Sequence, residues 1–140
     1  GVATRRFTYM EYGGAAEYVD MVNDTVVVLM IEKAGAVEEL DEILAIDGVD
    51  MIQWGPGDYS MNTGRAGQYA SPEIKAVERD VIAKALKAGV QPRGEILTPD
   101  AAKYYLDLGV RHFCIETDIM ILFNWLKTNG EELRKALDGS

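Results

Sequence analysis

Apolar residues fall along this chain in short runs that alternate with helical stripes. Thr25-Val26-Val27-Val28-Leu29-Met30-Ile31 is β-branched or aliphatic throughout, with no polar alternation. Such a run predicts a strand covered on both faces. It ends at Glu32. After Lys33-Ala34-Gly35, a helical pattern places Val37, Leu40 and Leu44 on one stripe with Ala36 and Ile43 beside it, and Asp47-Gly48 closes it. Val49 opens the next strand, which runs through Met51-Ile52-Gln53-Trp54 and breaks at Gly55-Pro56-Gly57. Beyond the loop Met61 to Ser71, Pro72 stands where a helix tolerates proline best, and Ile74, Val77, Val81, Ile82 and Ala85 make a stripe up to Gly89. A third strand, Val90 to Leu97, is interrupted by Pro92 and Gly94. Thr98-Pro99-Asp100 then opens a helix through Tyr105 and Leu106 that closes on Leu108-Gly109. Val110 to Ile115 is a fourth strand, and the stretch from Thr117 to Leu137 is helical with an interruption expected at Asn129-Gly130. Residues 1–23 read as a loop carrying solvated Arg5 and Arg6, followed by a short helix from Ala15 to Val22.

The order helix, Gly, Val, strand occurs at Gly48, Gly89 and Gly109. Alternating βα units of this kind predict parallel strands near residues 25–31, 49–54, 91–97 and 110–115, with function at their C-terminal ends. Four units fit either an open sheet or part of a barrel. A (β/α)8 barrel needs about 250 residues and eight strands, and this chain has about half of each, so a barrel reading leaves the other half outside it. The 140 residues, 48% of them hydrophobic, suit a single domain spanning 1–140.

A net charge of −9 argues against nucleic acid as a partner, because no basic stripe is present. One cysteine, Cys114, permits no internal disulfide, which suits the cytoplasm. No apolar run approaches the roughly 20 residues of a membrane helix, and no signal peptide stands at Gly1. The missing initiator Met points to processing or truncation.

The candidate chemistry begins where the second strand ends. Gly55 and Gly57 flank Pro56, so the backbone can bring its N–H groups close to a small anion while Asp58 faces a cation. The plainer alternative is a Gly-Pro-Gly turn in which Asp58 caps the next helix. Asp58-x-Ser60-x-Asn62-x-Gly64 is not a calcium loop: the glycine comes one position late, and Tyr69 stands where a bidentate Glu is needed. Glu95 and Glu116 lie in or at the ends of strands, where one could face a site and an ion-paired role is the alternative. His112 and Cys114 sit in the last strand pattern and are expected to be packed or hydrogen-bonded structural residues. The Met61 to Ser71 loop, with Gly64, Arg65 and Gly67, reads equally as a lid or as a surface loop.

Ile31-Glu32, Asp47-Gly48-Val49-Asp50, Gly55-Pro56-Gly57-Asp58-Tyr59-Ser60 and Tyr104-Tyr105-Leu106-Asp107-Leu108-Gly109 together resemble the HpcH/HpaI aldolase and citrate lyase family. The resemblance runs from about Gly1 to about Leu137 and covers the C-terminal half of the family's pattern. It implies a metal-dependent (β/α)8 barrel, typically hexameric, whose last helix can exchange between subunits. The implied activity is class II aldol cleavage and condensation of 2-oxo acids through the enolate of pyruvate. Carried over residue by residue, Glu32 and Asp58 match the metal-binding carboxylates, and the backbone at Gly57 and Asp58 matches the segment that receives the substrate carboxylate. Two carboxylates suit Mg2+ or Mn2+ and leave positions open for a 2-oxo acid.

The family's catalytic His and the Arg that contacts the keto oxygen belong to the N-terminal half, so a companion segment is expected to supply them. His112 matches no catalytic position. Gln53, Trp54, Tyr59 and Arg93-Gly94-Glu95 depart from the family's common residues, which bears on the substrate. A non-catalytic half-barrel or interaction module is the alternative from another class, and within enzymes a relative acting on citryl or malyl thioesters, or one cleaving phosphonopyruvate-like acids, is the nearer competing reading.

Overall fold

The computed structural model describes residues 15–139. Four strands, β1 (Val28–Ile31), β2 (Met51–Trp54), β3 (Gln91–Ile96) and β4 (His112–Ile115), form one sheet in the order β1-β2-β3-β4. Every neighbouring pair is parallel, with Ile31 opposite Trp54, Gln53 opposite Arg93, and Glu95 opposite Cys114. Between the strands run α2 (Ala34–Glu38), α3 (Leu40–Leu44), α4 (Pro56–Asn62), α5 (Pro72–Ala88) and α6 (Ala102–Asp107); α1 (Ala15–Asn23) precedes the sheet and α7 (Asp118–Asp138) comes after it. The strands thus fall where the apolar runs predict them, and the fold is α/β with the four βα units of a half-barrel.

The pleat divides the sheet's residues between two faces. Ile31, Ile52 and Trp54 join Leu40, Leu44, Ile74, Val81, Ala85 and Val90 in the core between sheet and helices. Met30, Gln53, Arg93, Glu95 and His112 alternate with them and lie on the opposite face, where Met30 is 44% exposed and Glu95 and His112 are exposed. Coverage on both faces, expected from the unbroken run at 25–31, is therefore absent among the described residues. The inner face of half a barrel has nothing to pack against. His112 is corrected for the same reason: it is exposed and its side chain has no hydrogen bond among the described residues. Cys114 is half-buried rather than enclosed.

Other departures have local causes. β1 starts at Val28 rather than Thr25, because the Val27 N–H donates to Asp50 Oδ2 at 2.8 Å and Thr25 Oγ1 turns back to the Met21 carbonyl. The stripe from Val37 to Leu44 is divided at Glu39, where ψ of 15° breaks the helical run. β3 passes through Pro92 and Gly94 without interruption, and Gly94 is needed there: a Cβ would lie 3.1 Å from the Tyr105 ring. α7 continues through Gly130, with Asn129 Nδ2 donating to the Trp125 carbonyl at 2.7 Å. α5 behaves as its sequence dictates. Ser71 caps it, Pro72 is its first residue, and Gly89 ends it at φ 83°. Among the described residues no helix is long and apolar enough to cross a membrane. Arg5 and Arg6 lie outside the described residues.

Candidate active site

β1 and β2 are neighbours, so the segments leaving their C-terminal ends meet on one side of the sheet. Glu32 is the residue after Ile31 and is half-buried. The Gly55 N–H donates to the Ile31 carbonyl at 3.0 Å, continuing the strand ladder one step past Trp54. This brings Gly55 against the base of the Glu32 side chain. A Cβ on Gly55 would stand 2.8 Å from Glu32 Cβ and 3.0 Å from Glu32 Oε2. With φ at −109°, Gly55 is not needed for an unusual backbone; it is needed for this close approach.

Gly55 is also the N-cap of α4, with Pro56 in the first turn, and no side chain caps that end. The reading of Asp58 as a helix cap is therefore replaced: Asp58 stands within the first turn, exposed, with its carboxylate unpartnered among the described residues. The first backbone N–H satisfied along this turn is that of Tyr59, which donates to the Gly55 carbonyl. Those of Gly57 and Asp58 have no partner among the described residues, as the first N–H groups of a helix lack one within it. Three contacts fix the turn. Ser60 Oγ donates to the Gly57 carbonyl at 2.7 Å, Asn62 Oδ1 accepts from the Ala34 N–H at 2.8 Å, and Tyr59 packs on Trp54 with ring centroids 4.7 Å apart. The Asn62 bond ties the end of α4 to the turn just beyond Glu32.

A cavity of about 390 Å³ opens at these strand ends, lined by residues including Trp54, Gly55, Gly57, Asp58, Glu95 and Tyr105. Tyr69 also lines it, so the loop after α4 contributes to the wall. A Cβ on Gly57 would meet nothing within 4 Å, which leaves the space above the free N–H groups open. Among the described residues no Lys, Arg or His lines the cavity. Glu32 has no hydrogen bond or ion pair among the described residues, so the structure does not commit it to another partner. Glu32 and Asp58 thus follow adjacent strands with carboxylates unpartnered among the described residues, oxygen donors of the kind a hard divalent cation takes; Glu32 is not among the described residues lining the cavity, and among the described residues no three acidic, His or Cys side chains gather around one metal position.

Two features were not anticipated from the sequence. Gln53, only 4% exposed, links Arg93 to Glu95: Arg93 Nε donates to its Oε1 at 2.5 Å and its Nε2 donates to Glu95 Oε2 at 2.9 Å. Glu78 is fully buried and accepts from Lys75 Nζ at 2.6 Å and from the hydroxyls of Tyr104 and Tyr105, each at 2.9 Å. Burial, followed by the Glu78 carboxylate, pushes both phenols above their ordinary value, Tyr105 far more than Tyr104. The signal was present, because Glu78 falls four residues after Ile74 on the apolar stripe of α5 and Tyr104-Tyr105 supplies donors. Glu116 takes φ 55° at the end of β4, and its Oε2 is buried without a partner, as is Trp54 Nε1. Neither Glu95 nor Glu116 forms an ion pair among the described residues.

The sequence profile of the HpcH/HpaI aldolase/citrate lyase family matches residues 2–111. The chain belongs to that family. The 4-hydroxy-2-oxo-heptane-1,7-dioate aldolase of Klebsiella pneumoniae is 32% identical over 123 residues, covering 87% of this chain and 46% of that protein. The hydroxypyruvate/pyruvate aldolase of Sagittula stellata is 33% identical over 114 residues, covering 79% and 44%. Among solved structures, the HpcH/HpaI aldolase from Desulfitobacterium hafniense DCB-2 superposes with a TM-score of 0.74 at 26% identity, covering 91% of this chain and 50% of that one. The chain thus spans about half the length of the family members it matches. Its four parallel strands correspond to half of a barrel of the HpcH/HpaI type.

Proposed function

We propose that this chain carries the metal and carboxylate site of a class II carbon–carbon lyase, which cleaves and forms aldols of 2-oxo acids through a pyruvate enolate. The observation that carries the reading is the placement of Glu32 over Gly55. It leaves one free carboxylate at the end of β1, while the paired neighbour β2 leads to Asp58 in a first helical turn whose Gly57 and Asp58 N–H groups have no partner among the described residues; Asp58 lines the cavity, and Glu32 is not among its described lining residues. The aldolase names of two relatives support it.

Glu32 and Asp58 would hold Mg2+ or Mn2+, which when bound supplies positive charge against the negative charge that develops on the 2-oxo oxygen. The N–H groups of Gly57 and Asp58 orient the carboxylate of pyruvate or a similar small 2-oxo acid at the mouth of α4. Trp54 and Tyr105 wall the cavity and limit water. Among the described residues no side chain of the cavity wall is basic, so the proton transfer and the contact to the keto oxygen are assigned to a companion N-terminal half-barrel segment. The working form is then an oligomer, a hexamer on the family's habit. A free thiol at Cys114 suits the reducing cytoplasm.

The test is Glu32→Gln in the chain assembled with its companion segment. Mn2+ affinity, read by electron paramagnetic resonance, and metal-dependent cleavage of a pyruvate aldol should both be lost while the melting temperature holds. Retention of both would show that the two carboxylates are structural.

A further inference from the structure

We infer that Glu95 selects the second substrate of this site, favouring an aldehyde that carries hydroxyl groups and disfavouring one that carries a carboxylate. The inference rests on the aldolase reading and names the acceptor class for it.

Gln53 sets the orientation of the groups involved. An arginine only donates hydrogen bonds, so the bond from Arg93 Nε obliges the Gln53 carbonyl oxygen to face Arg93. The amide nitrogen must then face Glu95, and it does, at 2.9 Å from Oε2. Gln53 is 4% exposed on a central strand, so water does not compete for these two bonds. Glu95 thereby has one oxygen fixed by a buried donor. Its other oxygen has no partner among the described residues and belongs to a side chain on the cavity wall. The neutral amide stands between Arg93 and Glu95, which form no ion pair among the described residues, so contact with the guanidinium does not cancel the charge at Glu95.

A carboxylate held in this way can only accept. With the 2-oxo acid occupying the Asp58 and Gly57 side of the cavity, the remaining space toward Glu95 receives the distal part of the aldehyde. A hydroxyl there donates to the free oxygen in a charge-assisted bond. A second carboxylate meets a like charge, and among the described residues no cation in the cavity wall offsets it. Because Gln53 and Glu95 are on paired strands rather than loops, the acceptor is in place before the substrate arrives.

The experiment uses the chain assembled with its companion half-barrel segment, pyruvate and Mg2+, and three aldehydes: glyceraldehyde, propanal and succinic semialdehyde. Wild-type protein should prefer glyceraldehyde over both others in kcat/KM. Glu95→Gln should reduce each preference by about tenfold. Glu95→Asp keeps the charge and withdraws it by one methylene. It should lose the preference over propanal and keep the discrimination against succinic semialdehyde, which gives a second reading if the Gln variant folds poorly. Exchange of pyruvate methyl protons with D2O, followed by NMR on wild-type protein without aldehyde, reports on the aldolase reading alone. Exchange with unaltered preferences in both variants would overturn the role of Glu95 and leave the aldolase reading standing; absence of exchange would overturn both.

Discussion

Gly55 is the residue on which the proposed metal site puts its sharpest demand. Its backbone is ordinary, at φ −109°, so alanine is conformationally acceptable and its only offence is the methyl group placed 2.8 Å from Glu32 Cβ. Gly55→Ala should therefore fold while pushing Glu32 aside, lowering Mn2+ affinity by about tenfold to a hundredfold, the range seen when support behind a ligand is disturbed. A calorimetric titration with wild-type affinity would show that Glu32 does not depend on that contact. Glu78 is the opposite case, a buried acid satisfied by three donors. Glu78→Ala strands the hydroxyls of Tyr104 and Tyr105 and should cost about 3–5 kcal/mol in urea unfolding. At this scale the sequence was unevenly legible. Gly57 and Asp58 stand in a motif whose glycines mark a turn at a strand end, and Glu32 stands where an unbroken apolar run stops. Glu78 and Gln53 do not, because a helical stripe or a strand tolerates one polar residue without showing which partner, many residues away, will satisfy it.

The elements were easier to read than their ends. Helix, glycine and valine punctuate the chain because a left-handed C-cap favours glycine, and Gly48, Gly89 and Gly109 all take positive φ. What sequence alone did not reveal was the break at Glu39 and the continuity of α7, since both depend on backbone hydrogen bonds that leave no periodic trace. Gly130 lies in the interior of α7, and a Cβ there would meet only Arg134 Nη2, at 3.9 Å. Gly130→Ala should stabilise the helix by about 0.5–1 kcal/mol, read as a raised melting temperature. The joint between α5 and α6 is sensitive to alkali. Tyr104 and Tyr105 titrate higher in the folded chain than their ordinary value of about 10, so the neutral phenol is the form the fold favours. Their contribution is fully present below about pH 10 and is lost as pH rises through the folded-state values. Melting temperature should fall above about pH 10, and less steeply in Tyr105→Phe, which has no phenol to ionise; identical slopes would place the alkaline transition elsewhere.

Taken as a whole, the described molecule leaves unfinished the two surfaces that a barrel would cover. The inner face of the sheet exposes Met30 beside the polar row of Glu95 and His112, and β1 and β4 end the sheet with no further strand alongside. Such edges pair readily with another chain. α7 presents the stronger case. Its first turns run Ile119, Met120, Ile121, Leu122, Phe123, then Trp125 and Leu126, each between 45% and 71% exposed, so apolar side chains project all around the helix rather than along one stripe. A helix apolar on every side belongs in an interior, and the described residues leave this one exposed. Sedimentation velocity of the isolated chain should therefore show self-association. Co-expression with the N-terminal half-barrel segment of the Sagittula stellata or Klebsiella pneumoniae relative should convert it to a discrete oligomer with a single melting transition. Leu122→Glu with Trp125→Glu, placed on α7 away from Glu32, Asp58 and Glu95, should reduce that oligomer to smaller species. A compact monomer of 15.4 kDa, sharp in sedimentation and cooperative in melting with no companion present, would mean that α7 folds back onto the open sheet and that the four βα units are a complete domain.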